Sequence, residues 1–292
     1  MCQFCKEHGE GKKWYLQAKN YAMDMLHEEL TPEYKIIVKA STRSDWLANF
    51  SKNFVIPAAS HKSGKADSES QDASTTEVPE PQLPEDEILR RRMINHFGQV
   101  LPIEDVEEVI DMVSSITRLP CGCRYISTGK SDKRYCFGVS MDITGTMGSF
   151  PDSSMSLEVL DKEEAKRIFR EYDTEGLMHS IWTGVTPYVI GICNCDRDCM
   201  AYHSYIDRDG IPTFFRAEYI CQTDWDLCTG CKSCMSQCQF GAISYSSALS
   251  KCHINPAKCY GCGVCRAACQ HEAITLIPRQ EHSEAANIWL RS

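Results

Sequence analysis

The sequence predicts an α+β protein with an N-terminal helical segment, a central α/β cysteine-bearing module and a C-terminal domain of pseudo-twofold symmetry. Three observations predict it. Apolar residues recur at helical spacing through much of the chain, a polar stretch at 58–87 interrupts them, and one cysteine motif is spelled twice before residue 270. The 292 residues are 42% hydrophobic and 24% charged, which suits a globular chain. The unusual feature is 18 cysteines, far more than packing requires. The opening Met1-Cys2-Gln3-Phe4-Cys5-Lys6 has no apolar core or cleavage site of a secretory signal, so a cytoplasmic, reducing location is expected. Clustered thiols are then read as metal or cluster ligands rather than disulfides. No apolar run is long enough for a membrane span, and a net charge of −9 argues against nucleic acid as a partner.

Taken in order, residues 1–57 open with Cys2-x-x-Cys5 and continue with Trp14, Leu16, Tyr21, Met25 and Leu26 at helical intervals until Thr31-Pro32 stops them. Residues 58–87 are dominated by Ala, Ser, Thr, Pro, Glu and Asp and read as a disordered acidic linker. The central module, 88–216, begins with a helix marked by Ile88, Leu89, Met93 and Phe97 and ended by Gly98. A second helix, with Pro102 at its first position, carries Ile103, Val106, Val109, Ile110, Val113 and Ile116 on one stripe. A third runs from the capping-box arrangement Asp161-Lys-Glu-Glu164 through Ala165, Ile168, Phe169 and Tyr172 to Gly176. Residues 181–192 read as a strand or hairpin arm that Pro187 should keep out of the middle of a sheet. From 217 to 279 the elements are too short for a large core, and 280–292 is a tail.

Cysteine organises that last third. Cys228-x2-Cys231-x2-Cys234-x3-Cys238 is followed by Cys259-x2-Cys262-x2-Cys265-x3-Cys269, the copies 31 positions apart. Three thiolates on one loop can each reach a different iron of a cubane cluster while a fourth comes from elsewhere; zinc would use four ligands in two pairs and would not call for two full runs. The repeat resembles the bacterial two-cluster ferredoxin domain. That resemblance implies two 4Fe–4S clusters, one held by Cys228, Cys231, Cys234 and Cys269, the other by Cys259, Cys262, Cys265 and Cys238. Gly230 and Gly261 are read as letting the backbone approach the cluster. Gln239 and Gln270 stand where the ferredoxin pattern has proline, and their amides, if aimed at cluster sulfur, would raise the reduction potential. Cys221 and Cys252 extend the repeat on the strands leading into each loop, as small buried side chains or as alternative ligands.

A second constellation lies upstream: Cys121 and Cys123 in Leu-Pro-Cys-Gly-Cys-Arg124, Cys136 in Arg134-Tyr-Cys-Phe-Gly138, and Cys193, Cys195 and Cys199 in Ile192-Cys-Asn-Cys-Asp-Arg-Asp-Cys199. Cys121 and Cys123 are read as facing opposite sides of an extended segment unless a turn at Gly122 gathers them. Cys121, Cys123, Cys193, Cys195 and Cys199 are candidate ligands of a third iron–sulfur or metal centre, against a structural or redox-pair reading. Arg124 and Arg197 should favour the thiolate form. With His96-Phe-Gly-Gln-Val-Leu-Pro-Ile-Glu-Asp105, these elements are similar to those of an uncharacterised family of anaerobe iron–sulfur proteins that place such a module before a ferredoxin domain. That resemblance spans about 84–279 and implies no particular activity.

Cys2, Cys5 and His8 offer three ligands at most, so a zinc site there needs help from elsewhere; a redox pair or plain thiols are the other readings. Walker, dinucleotide and nucleophile-elbow motifs are absent from the sequence, and no catalytic residue is nominated. The function expected is single-electron transfer to a redox partner protein, as a carrier or oxidoreductase subunit. The alternatives are an oxidoreductase with its own substrate at the upstream cysteines, and a redox or iron sensor.

Overall fold

The computed structural model describes residues 1–21, 98–121, 123, 124, 128, 132–140, 157–183, 187–199 and 214–290. The expected helix over 88–97, the linker at 58–87, Met25, Leu26 and the stop at Thr31-Pro32 lie outside these residues. The fold is α+β.

Helix α1 spans Gln3–His8, and two 3-10 turns follow at Trp14–Leu16 and Ala18–Tyr21 in place of the continuous helix expected there. The reason is local competition for carbonyls. Asn20 Nδ2 donates to the Trp14 carbonyl at 2.7 Å and the Tyr21 hydroxyl to that of Tyr15 at 2.5 Å, acceptors that an α-helix would use for its own ladder. Trp14 is anchored from β1 (Gly98–Leu101) by a 2.6 Å hydrogen bond from its indole N–H to Gln99. Gly98, expected to stop a helix, is instead the first residue of that strand.

Helix α2 runs Ile103–Met112 with Pro102 as its N-cap, one residue outside the position expected. Val113 is extended at ψ 150°, so the apolar stripe ends there and Ile116 opens β2 (Ile116–Leu119). The switch is fixed by pairing: Ser140 N donates to Ser115 O at 2.9 Å as β3 (Cys136–Val139) closes on β2. After β4 (Glu158–Val159), α3 spans Lys162–Glu175. Asp161 caps it by accepting from Glu164 N at 2.8 Å, and Gly176 ends it in the left-handed region at φ 87°.

Strands β5 (Met178–Thr183), β6 (Val189–Cys195) and β7 (Phe214–Phe215) complete a seven-stranded sheet of order β4-β2-β3-β6-β5-β1-β7. Every pairing in it is antiparallel except β1 with β7. The expectation about Pro187 fails. β6 is the middle strand, and Pro187 does not interrupt the ladder because it sits in the turn before Val189. Helices α2 and α3 cover one face, where Val106, Val109, Ile110, Ile168 and Phe169 pack on Leu101, Phe137, Ile181 and Ile192, joined by Phe4, Trp14 and Tyr15. The opposite face carries Val100, Met178, Trp182 and Phe214 together with buried cysteines.

The C-terminal third repeats strand, helix, strand: β8 (Tyr219–Thr223), α4 (Ser233–Gln237), β9 (Ile243–Ser246), then β10 (Lys251–Ile254), α5 (Val264–Ala267), β11 (Ile274–Pro278). Antiparallel pairing of β8 with β11 and of β9 with β10 interlocks the halves in the twofold manner expected. This third docks on the cysteine-bearing face of the sheet through Tyr260, Cys262 and Val264. A bidentate pair from Arg266 to Glu104 of α2, at 2.6 and 2.7 Å, adds to the contact.

Candidate metal centres

Each cysteine run of the C-terminal third wraps a loop whose geometry depends on the other half. Gly230 and Gly261 have φ of 72° and 74°, where a side chain is strained, and an added Cβ would lie 2.2 Å from Ser250 O or 2.1 Å from Tyr219 O. Glycine is therefore demanded by backbone outside its own loop, the turn before β10 for Gly230 and β8 for Gly261, and the close neighbour is a carbonyl rather than the cluster envisaged from sequence. The loops exchange hydrogen bonds in the same crossed way. Cys221 N donates to Cys259 Sγ at 3.3 Å and Cys252 N to Cys228 Sγ at 3.5 Å. Ala242 N and Ala273 N donate to Cys238 Sγ and Cys269 Sγ at 3.3 and 3.4 Å.

Cys228, Cys231, Cys234 and Cys269 line one cavity, so the last cysteine of the second run stands with the first three of the first. Reciprocally, Cys262 and Cys265 lie within electrostatic reach of Cys259 and of Cys238, the last cysteine of the first run. Both groupings suit a cubane cluster: four soft thiol donors converge on each site, and backbone N–H groups already point at their sulfurs. Burial pushes the Cys262 and Cys238 thiols up, so loading must release protons. Cys231 differs. It is exposed, and the backbone and hydroxyl of Ser233 draw its thiol below the usual value.

The two sites are electrostatically unlike. Buried Arg279 donates to the carbonyls of Ala217, Tyr219 and Cys259 at 2.7, 2.9 and 2.9 Å, and buried Arg216 reaches Cys259 O at 3.4 Å while lying over the Tyr260 ring. Both cations therefore back the Cys259 loop, whereas the Cys228 loop has Lys251, which donates to Cys228 O at 2.5 Å. Cys221 and Cys252 lie buried on β8 and β10, the strands leading into the loops; Cys221 touches Cys259 and Cys265, and Cys252 touches Cys234.

Residues 227–282 match the family model of the 4Fe-4S dicluster domain. The C-terminal region is thus a ferredoxin-like iron–sulfur domain, and the chain is an iron–sulfur protein. The match does not extend to the upstream module. No curated protein matches the chain.

Against this ferredoxin-like domain the fold gathers the upstream cysteines. Cys193 and Cys195 share a face of β6, since residues two apart in a strand point the same way. Cys121 and Cys123 stand two positions apart, where an extended segment would put them on one face rather than on opposite ones, and the backbone at Cys123 is helical; Gly122 itself lies outside the described residues. Cys136 faces Cys193 across the β3–β6 pairing with its Sγ at 3.8 Å, and Cys199 Sγ is 3.7 Å from Cys195 Sγ. Cys121 touches Cys136 and Cys199, and Cys123 touches Cys199. Contacts between Cys193 and Cys195 close a ring in which Cys121, Cys136, Cys193, Cys195 and Cys199 follow one another, with Cys123 attached. Cys136, absent from the five ligands nominated from sequence, belongs to the group. Contacts with Cys193 and Cys199 draw the Cys195 thiol down to about 6; the Cys199 contact and burial push Cys123 up.

Arg124 works on the thiols as the sequence suggested, its charge opposing the rise of the Cys136 thiol, whereas Arg197 and Gln239 act differently. Arg124 is held by Asp196 through two contacts of 2.8 Å, and Arg197 donates to the carbonyls of Cys238 and Gln239. Gln239 donates its side-chain amide to the carbonyls of Gly176 and Cys195 at 2.7 and 3.2 Å, tying the sheet to the cluster loop. Phe240 and Tyr260, stacked with centroids 4.1 Å apart, pack between these parts.

Proposed function

We propose that the chain is a one-electron relay in which two 4Fe–4S clusters of the ferredoxin-like domain serve a third centre in the central module. Cys228, Cys231, Cys234 and Cys269 hold one cluster and Cys259, Cys262, Cys265 and Cys238 the other. A third centre takes its ligands from Cys121, Cys123, Cys136, Cys193, Cys195 and Cys199. Bound clusters supply reversible one-electron exchange at potentials set by charge, hydrogen bonds and solvent.

The observation that carries this reading is that the six upstream cysteines belong to or pack against the same apolar cluster as Cys262 and Tyr260. A structural thiol cluster has no need to abut a cluster loop, whereas electron exchange requires it. The residues divide the labour. Exposed Cys231 marks the face that a redox partner protein approaches. Arg216 and Arg279 hold positive charge behind Cys259, which favours the reduced form there. Gln239 and the Phe240–Tyr260 stack hold the two parts in register and keep water from between them.

Iron and acid-labile sulfide per chain, measured after anaerobic reconstitution of the full chain, test the proposal. About twelve irons are expected, falling to about eight in Cys193→Ser/Cys195→Ser. About eight in both proteins would leave the upstream thiols without a cluster.

A further inference from the structure

The N-terminal Cys2-x-x-Cys5 pair sits far from both iron–sulfur regions in sequence, yet the fold supplies it with a third donor. Cys2 caps α1 and Cys5 lies in its first turn, with their Sγ atoms 3.4 Å apart. Glu218, immediately before β8, reaches across to them: its Oε1 is 3.1 Å from Cys5 Sγ and accepts from Cys2 N at 3.0 Å. The two sulfurs and a carboxylate oxygen all lie within 4.8 Å of one another. Cys2, Cys5 and Glu218 are 2%, 0% and 6% exposed, so these donors are held in one place by the core around Phe4 and Trp14.

The carboxylate also accepts from the Cys2 N–H, pairs with the N-terminal ammonium at 3.5 Å and lies within electrostatic reach of buried Arg279, so it is held as the anion beside the two thiols. His8, the ligand the sequence offered, lies against the Phe4 ring instead, tilted by 50°.

We infer that Cys2, Cys5 and Glu218 form a binding site for one divalent metal ion of the zinc class. Two thiolates and one carboxylate match the ligand types zinc takes, and three donors are too few for an iron–sulfur cluster. Glu218 also borders an open cavity of about 680 Å³ lined by Lys12, Lys13, Asp111 and Tyr219, the side from which water would supply a fourth ligand. Loading is a proton exchange without redox change: the ion enters, the two thiols each lose a proton to solvent, and the carboxylate binds as the anion. The metal fastens the N-terminal segment to the strand that leads into the Cys228 loop.

The test uses the full chain, reconstituted anaerobically with iron and sulfide and then equilibrated with zinc chloride. About one zinc per chain is expected, with X-ray absorption showing two sulfur neighbours at about 2.3 Å and lighter ligands besides. Cys5→Ser and Glu218→Gln, the latter keeping the shape of the side chain, should each lower zinc content at least fivefold while iron stays unchanged. Iron content reads the electron-relay proposal separately, so either reading can fail alone. Zinc bound by four sulfurs, zinc content equal in wild type and both variants, or a Cys2–Cys5 disulfide in the protein as isolated would each overturn the assignment.

Discussion

Gln239 donates its side-chain amide to the carbonyl of Cys195, 3.2 Å away, although the two residues belong to parts of the chain with separate sequence motifs. The same amide reaches Gly176 O at 2.7 Å, where α3 ends. A proline at this position, as in the ferredoxin pattern, would have neither bond. The glutamine thus marks where the iron–sulfur loop has adapted to a neighbour.

The first prediction concerns that contact. Gln239→Ala should destabilise the protein by about 1–2 kcal/mol, because it leaves two half-buried carbonyls without a donor. Its cluster potentials should stay within about 30 mV of wild type, since the amide points at carbonyls and away from sulfur. Thermal unfolding and protein-film voltammetry measure the two effects, and a large shift in potential with unchanged stability would contradict the geometry.

The crossed approach of the halves makes a second prediction. Gly261→Ala places a Cβ 2.1 Å from Tyr219 O at a φ of 74°, so backbone must move on both sides of the β8 connection. A loss of about 2–3 kcal/mol and reduced iron retention are expected, read by unfolding and iron analysis. Gly241→Ala serves as the control: φ is 64° there, but nothing lies within 4 Å of the added carbon, so only the strain of the backbone, about 1 kcal/mol, should appear.

Ligand and neighbour should separate cleanly at two cysteines. Cys231→Ala should remove about four irons, because an open coordination position at an exposed thiol invites solvent and cluster loss. Cys221→Ala should keep full iron, because its contribution to Cys259 includes a backbone N–H that the substitution leaves in place. Iron per chain and the EPR spectrum of the reduced protein decide both; iron loss in Cys221→Ala would make that thiol a ligand.

A last prediction addresses the ion pair beside the upstream thiols. Asp196→Asn leaves the Arg124 guanidinium, 5% exposed, with the longer 4.0 Å contact to Asp198 in place of its two close ones to Asp196. Because Asp196 is itself 30% exposed, about 2 kcal/mol is expected rather than the larger loss of a fully buried pair. Denaturant unfolding measures it. Arg124→Met/Asp196→Asn should recover part of the loss, since it removes the buried charge along with the pair.

A truncation after Arg216 would not leave the upstream thiols in their native surroundings. Tyr260, Cys262 and Val264 share one apolar cluster with Cys121, Cys195 and Cys199, so removing the ferredoxin-like domain would open that group to solvent. Single-residue variants in the full chain keep those surroundings.

Sequence alone determined the features that depend on short-range spacing. Two cysteine runs 31 positions apart are enough to specify two symmetric cysteine loops of a ferredoxin-like domain, because the spacing within each run is local. Asp161 and Gly176 likewise announced α3, since capping is settled within a few residues. Tertiary structure decided what depends on register and docking. Pro187 misled because a proline in a turn costs a central strand nothing, and its place between β5 and β6 is visible only once they pair. Cys136 joined the upstream group through the β3–β6 register, which a one-residue slip would reverse. Glu218 met Cys2 and Cys5 across 213 or more positions, a contact made by packing the N-terminal segment into the sheet's core and carried by no local pattern.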